Sequence, residues 1–378
     1  MNDYVTPQMF GAKADGKTDD SDAFQKAVNS GYDVYVPTAK RETYLITKTI
    51  SITNPNCKRI FSEPISRMGS TGMVVADLRT SETPKTTGLF DVHIQLLRIC
   101  GLKFTSKAGD HRAGVFINAM DDICDYDIRI EHCGISNFYR VARFTGRGFE
   151  LLNSQVGSCQ NLADFYWDDG QDTNENHPAE YDQRAICVKN CRLHNIASAF
   201  IIVRSGHAYG LHFEGNTIDN GKGFLFRAYD QADGWNISGN VIQGIRTDYD
   251  AMEFRKGMLN CLITGNTFIA DKGYWKDTIA TVKSWLKCSG NTVASIISGN
   301  VFKNSDGGFM SFRNIEGSSI VGNTMHNVKS REDPAIDITG TCRKTCIVAN
   351  SVMSASNCRL LSKTLSSDNA VIGNCPNT

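Results

Sequence analysis

Short apolar segments alternate with polar residues along much of this chain, and glycine or asparagine interrupts them at a steady interval. Trp-Asn-Ile-Ser-Gly at 235–239, Leu-Ile-Thr-Gly at 262–265 and Ile-Ile-Ser-Gly at 296–299 have the two-residue period of strands. Each runs into a recurring phrase: GNTI at 215–218, GNVI at 239–242, GNTF at 265–268, GNVF at 299–302, GNTM at 322–325, ANSV at 349–352 and GNC at 373–375. Weaker copies precede it, HCGI at 132–135, NSQV at 153–156 and NCRL at 190–193. The second position of each copy runs Cys133, Ser154, Cys191, Asn216, Asn240, Asn266, Asn300, Asn323, Asn350, Asn374. The steps are therefore 21, 37, 25, 24, 26, 34, 23, 27 and 24. The two long steps are insertions into an otherwise constant period.

A repeat of this length has few structural meanings. Leucine-rich repeats need a leucine pattern that is absent, and helical repeats are longer. A parallel β-helix remains, an all-β solenoid whose coils stack equivalent positions ~4.8 Å apart. Gly-Asn suits its corners, because both residues tolerate turn backbone angles and stacked asparagines can hydrogen-bond from coil to coil. The open end of such a coil needs a cover. Residues 18–29 predict a helix for it, with Thr18 or Asp19 as N-cap and Ala23, Phe24, Ala27 and Val28 as an apolar stripe. The expected organisation is an N-terminal cap over 1–50 and a parallel β-helix over 51–378, with a loop insertion at 166–184.

Composition narrows the partners. Forty basic and forty acidic residues give a formal net charge of zero, which argues against a nucleic-acid binder. No segment is apolar enough for a membrane helix, and the N-terminus shows no signal peptide, so no membrane insertion is expected. Thirteen cysteines then read as free thiols from a reducing compartment. The pairs Cys187/Cys191 and Cys342/Cys346 could hold zinc. Their spacing and the lack of a His-rich partner favour buried apolar side chains instead, so neither metal nor cofactor is expected.

The segment FGAKADGKTDDSDAFQ at 10–25, followed by Tyr-Val-Pro at 35–37 and Thr-Tyr-Leu at 43–45, resembles the opening of right-handed β-helices of the pectate-lyase superfamily, and in particular of bacteriophage tailspikes and depolymerases. The resemblance is dense over 5–47, and the repeat carries it to the C-terminus. It implies a right-handed coil, binding or cleavage of a bacterial surface polysaccharide, a homotrimer, and a place on the virion tail. The motif marks the fold and not the reaction: Asp15, Asp19 and Asp20 read as turn and cap residues. The polygalacturonase set (Asn-Thr-Asp, His-Gly, Arg-Ile-Lys) is missing, and GHAYG at 206–210 is only a loose echo of it.

Downstream of each corner lies a second strand. Aligned on their apolar residues, the strands read IVR at 202–204, LFR at 225–227, EFR at 253–255, TVK at 281–283, SFR at 311–313 and DIT at 337–339. This alignment places Arg204, Arg227, Arg255, Lys283 and Arg313 in one outward column, a substrate-binding track for an anionic glycan. The plain alternative is that these side chains snorkel over apolar faces and pair with local acids. Like charges ~5 Å apart repel by only ~1 kcal/mol per pair in water.

Glycoside cleavage usually needs two carboxylates. Glu253, with Asp230 and Asp250 flanking the same strands, supplies the catalytic candidates, and its basic neighbours suit it to the role of base or nucleophile. Alternatively Glu253 only neutralises those cations. The 166–184 insertion sets Trp167, Asp168 and Asp169 where sugar rings could stack and hydroxyls be held, unless it is a solvated loop. Trp275 and Trp285, in the other long coil, could form an opposite wall.

The reading is a depolymerase of an acidic bacterial surface glycan. Hydrolysis by paired carboxylates is favoured over β-elimination. A non-catalytic adhesin is the alternative from another class, and a structural spike segment is the third.

Overall fold

A computed structural model describes residues 3–37, 42–62, 73–78, 87–106, 114–120, 125–144, 147–165, 186–203, 208–271, 281–328, 333–353, 360–362, 368–372 and 375–376. The chain divides into two units, one of residues 1–171 and 185–193, the other of 172–184 and 194–378. Both are built of right-handed parallel β-helix coil, in which each strand pairs in parallel with the strand one coil on.

In the first unit three ladders of buried side chains fill the coil. One runs Val34, Ile60, Ile99, Ile130, Leu151, Val188 in strict register. A second runs Tyr44, Val74, Phe104, Ile135, Val156, and a third Phe90, Ile117, Ala142, Ala163. All of them are at most 2% exposed. β-Branched and aromatic side chains fit this pleated interior, and each buried one stabilises by roughly 1.5–3 kcal/mol.

The second unit repeats the plan with greater regularity. Phe213, Ile237, Ile263, Ile297, Ile320 and Ile347 stack in one column. Ile218, Ile242, Phe268, Phe302, Met325 and Val352 stack in another. The rings of Phe268 and Phe302 lie 5.0 Å apart and nearly parallel.

The corners explain the repeat. Gly215, Gly239, Gly265, Gly299 and Gly322 take left-handed backbone angles, which glycine adopts without strain, and Ala349 takes them too. The asparagine after each is buried, and the five Asn216, Asn240, Asn266, Asn300 and Asn323 form the column expected of them. Each donates its backbone N–H and its side-chain N–H to the Oδ1 of the next: Asn240 to Asn266 at 3.0 and 2.8 Å, Asn266 to Asn300 at 3.0 and 2.9 Å. From Asn240 on, the same amide also donates backward, as Asn240 does to the Phe213 carbonyl and Asn266 to that of Ile237. The ladder continues to Asn350.

The weaker copies are chemical variants of this corner. His132, Asn153 and Asn190 are left-handed. The Cys133 N–H donates to Ser154 Oγ at 3.1 Å, and the Cys133 and Cys191 thiols donate to the Ile99 and Leu151 carbonyls. These carbonyls are the counterparts of the Phe213 one. Cys57, Cys133, Cys159, Cys191, Cys261, Cys288 and Cys342 are buried thiols outside any disulfide. Among the described residues, no three His, Cys, Asp or Glu side chains gather as a metal site requires, and no helix is long and apolar enough to cross a membrane.

The cap differs slightly from expectation. The helix, α1 (Ser21–Asn29), begins at Ser21 and not at 18, because Asp15–Asp19 is drawn into a parallel pairing with the strand Thr43–Ile46. Asp19 accepts from the Ser21 N–H, while buried Asp20 accepts from the N–H groups of Lys13 and Ala14. Burial raises the Asp20 carboxyl above its ordinary value. At Asp15 the backbone N–H groups of Thr18 and Lys17 lower it. Phe24, Ala27 and Val28 are buried as the stripe predicts, with Phe24 edge-on to Tyr44 at 5.3 Å. Thr43–Ile46, one of the first strands counted with the cap, pairs in parallel with Met73–Ala76.

Candidate functional site

The outward column of the second strand face is not the one the alignment gave. The register pairs Ile202 with Arg227, Arg227 with Glu253, Glu253 with Lys287, Lys287 with Ser311 and Ser311 with Asp337. A run of five cations is therefore replaced by Arg227, Glu253, Lys287, whose signs alternate and attract. Arg255 and Arg313 sit two residues further along their strands than this column. Lys283 lies four before Lys287, in a strand that spans Val282–Val293. The alignment fails at two strands: it sets Phe226 and Val282 level with Phe254, where the register sets Ala228 and Cys288, while Phe254, Phe312 and Ile338 do share one ladder. Arg204 lies outside the described residues, as do Trp167, Asp168, Asp169, the rest of the 166–184 insertion, and Trp275. Trp285 is fully buried, with Nε1 donating to the Lys303 carbonyl, and cannot form a wall of a surface groove.

Glu253 is the centre of the rebuilt site. Its Oε2 lies 2.7 Å from Arg227 Nε, and both side chains are only about one-sixth exposed, at 16% and 17%. The Arg227 Nε–H is not aimed along that line, so the contact is an ion pair and not a directed hydrogen bond. Oε1 accepts from Arg255 Nε at 3.3 Å. Three residues earlier in the same strand, Asp250 accepts from Ser284 Oγ at 2.7 Å and pairs with Lys287 Nζ at 3.5 Å. Residues three apart in a straight strand face opposite ways. Here Ala251 and Met252 are both buried, so the strand kinks and turns Asp250 to the side of Glu253. Lys287 thus pairs in register with Glu253 and reaches Asp250 with its ammonium. Asp230 stands apart, paired with Lys256 at 3.2 Å.

Aromatic rings frame these charges. The Arg227 guanidinium lies 3.2 Å from the centre of the Phe224 ring, and Phe224 stacks on Tyr249 at 5.1 Å and 28°. Tyr249 is 59% exposed, an outward ring of the kind on which a pyranose face can lie. Arg255 covers Tyr229 at 4.2 Å. Sequence reasoning named Glu253, Asp250, Asp230, Arg227 and Arg255 but missed Phe224, Tyr229, Tyr249, Ser284 and Lys287. Only correct strand register would have found Lys287. The arrangement offers two carboxylates beside one ammonium, a guanidinium pair that orients one of them, and exposed aromatic surface.

No family model matches the chain. It is 46% identical to the pre-neck appendage protein of Bacillus phage B103 over 48 residues, 13% of this chain and 5% of that protein's length. Among solved structures it is similar to the catalytic unit of a GH87 α-1,3-glucanase from Streptomyces thermodiastaticus, with TM-score 0.54, 12% identity, and 99% of this chain and 69% of the other covered. It is also similar to the N-terminal fragment of bacteriophage Phi29 gene product 12, with TM-score 0.51, 14% identity, and 92% and 68% covered. At these identities the likeness is one of fold, and it establishes the right-handed parallel β-helix.

Proposed function

We propose that this protein is a polysaccharide depolymerase that binds and cleaves an acidic bacterial surface glycan as part of a phage tailspike, with the second unit's strand face as its active site. The observation that carries the reading is Lys287 set between Asp250 and Glu253, with Arg227 and Arg255 clasping Glu253 and Tyr249 exposed beside them. Hydrolysis by paired carboxylates is the preferred reaction. Glu253, oriented by its arginines, takes a proton from the attacking water. Asp250 passes a proton from the Lys287 ammonium to the glycosidic oxygen as the bond to the anomeric carbon breaks. Asp230 is a reserve carboxylate at the edge. Arg227, Arg255, Arg313 and Lys283 supply positive charge around the glycan. The short phage-protein match and the β-helix shared with an α-1,3-glucanase support this class of function and a virion-tail location, and the homotrimer rests on the resemblance of residues 10–25 to tailspike openings.

The second reading is a non-catalytic glycan-binding adhesin. What favours it is that both oxygens of Glu253 are already engaged by cations. Incubation with bacterial surface polysaccharides, followed by assay of new reducing ends and of unsaturated uronates absorbing in the ultraviolet, separates the readings. A hydrolase yields the first signal alone, and both signals together mean a lyase. Glu253→Gln should lower turnover about 10²-fold or more while sparing glycan binding. Undiminished turnover in both Glu253→Gln and Asp250→Asn would sink the assignment, and binding without any cleavage would make the protein an adhesin.

A further inference from the structure

A true column of like cations exists in the first unit, on the sheet built from Arg59–Phe61, Leu96–Cys100 and Asp125–Glu131. The register sets Arg59 opposite Arg98 and Arg98 opposite Arg129. Three guanidinium-bearing positions thus follow one another at the strand spacing of ~4.8 Å. The outer two are held in place. Arg59 pairs with Asp33 at 2.5 Å and lies over the Phe61 ring at 5.2 Å. Arg129 pairs with Glu131 at 3.1 Å and Glu150 at 3.7 Å. Arg98, between them, is exposed, and among the described residues no carboxylate lies within 4 Å of it. Packing does not call for this arrangement, since any short polar residue would serve at an outward strand position. Repulsion from two flanking cations opposes it.

The three arginines open onto a surface pocket of about 310 Å³, which Phe61, Cys100 and Glu131 also line. Phe61 belongs to an aromatic wall, its ring 5.4 Å from that of Tyr35 and 6.0 Å from that of Tyr4. The site therefore combines an exposed guanidinium with no carboxylate partner among the described residues, two pre-oriented ones beside it in the column, and an apolar ring face. Arginine presents a planar fork that matches a carboxylate with two parallel hydrogen bonds. Glu131 in the lining disfavours a dianion more than a monoanion.

We propose that Arg59, Arg98 and Arg129 form a carboxylate-binding subsite for a uronate residue of an acidic polysaccharide. Arg98 supplies the charge, and Arg59 and Arg129 fix the orientation. The subsite binds and does not cleave, since a single carboxylate, Glu131, lines it where glycoside cleavage needs two. The choice of a sugar acid as ligand rests on the glycan reading above, but binding here requires no catalysis by Glu253.

The test is calorimetry on the full chain with an oligogalacturonate, a maltooligosaccharide of equal length and inorganic phosphate. The oligogalacturonate should bind, and its Kd should rise at least tenfold in Arg98→Ala and be largely rescued in Arg98→Lys. Added salt should weaken it, because the contacts are charged and partly exposed. Reducing-end release by the parent and by Arg98→Ala is assayed in parallel: cleavage without this binding sinks the subsite alone, and binding without cleavage sinks the cleavage assignment alone. Arg98 is exposed, so its replacement does not threaten folding, and unchanged circular dichroism checks this. The proposal is overturned if the oligogalacturonate does not bind, or if Arg98→Ala binds it within twofold of the parent. It is equally overturned if the maltooligosaccharide or phosphate alone binds as tightly as the oligogalacturonate.

Discussion

Replacing Asn266 with alanine tests whether the asparagine ladder holds the second unit together. The substitution removes four hydrogen bonds. Two come from Asn240, its N–H and its side-chain amide both donating to Asn266 Oδ1. Two are donated by Asn266, to the Ile237 carbonyl and to Asn300 Oδ1. At about 1 kcal/mol net each this amounts to ~4 kcal/mol, and the buried Asn240 N–H left without an acceptor adds ~1–2 kcal/mol. The expected loss is therefore ~5–6 kcal/mol, large for one side chain. Asn266→Ser should lose about 1–2 kcal/mol less, because a serine hydroxyl at this corner accepts the neighbouring N–H, as Ser154 does for Cys133. Guanidinium titration measures the sum. A coil need not unfold in one step, so hydrogen exchange at the Asn240 amide gives the local reading. An alanine variant within 0.5 kcal/mol of the parent, with that amide still protected, would refute a stabilising role for the ladder.

Phe24→Asp should destabilise by about 4 kcal/mol or more, since the ring is 1% exposed and packs on Tyr44; an unchanged melting temperature would show that α1 does not close the first unit. Burial pushes the thiols of Cys133, Cys159, Cys191 and Cys261 up to about 12 from an ordinary 9.0. The folded chain then holds protons that the unfolded chain releases, so stability present below pH 9 should fall as pH rises towards 12. Alkylation of these cysteines should stay slow in the folded protein at pH 8 and become fast in denaturant, and rapid labelling without denaturant would contradict their burial.

Much of the fold is legible in the sequence, because the corner repeats a backbone requirement and a hydrogen-bonding requirement together. Gly239 must be left-handed and Asn240 must reach both neighbouring coils, so the pair recurs wherever the coil turns. Where cysteine or serine does the same work, as at Cys133 and Ser154, the spacing still betrays it. The outward faces are a different matter. Aligning TVK at 281–283 with EFR at 253–255 satisfies the apolar pattern, yet the partner of Phe254 is Cys288 and not Val282, because the strand Val282–Val293 begins well before the stretch that pairs with Glu253. Arg59, Arg98 and Arg129 stack in register although they are 39 and 31 residues apart, because the intervening loops differ in length. No fixed period could have brought them together. Phe224 and Tyr249 were missed for a related reason: their stacking depends on which coil lies beside which, and nothing in either residue's neighbourhood signals it.

The asparagine column also gives the chain a direction of growth. From Asn240 to Asn323, each amide reaches back to a carbonyl of the coil already made and forward to the side chain of the coil still to come. A ribosome delivers those coils in that order. A nascent coil can therefore dock on its predecessor at once, yet it keeps two donors without partners until its successor emerges. Its solvent-exposed end remains the place where the next coil is captured, and premature release from the ribosome would leave that end unfinished.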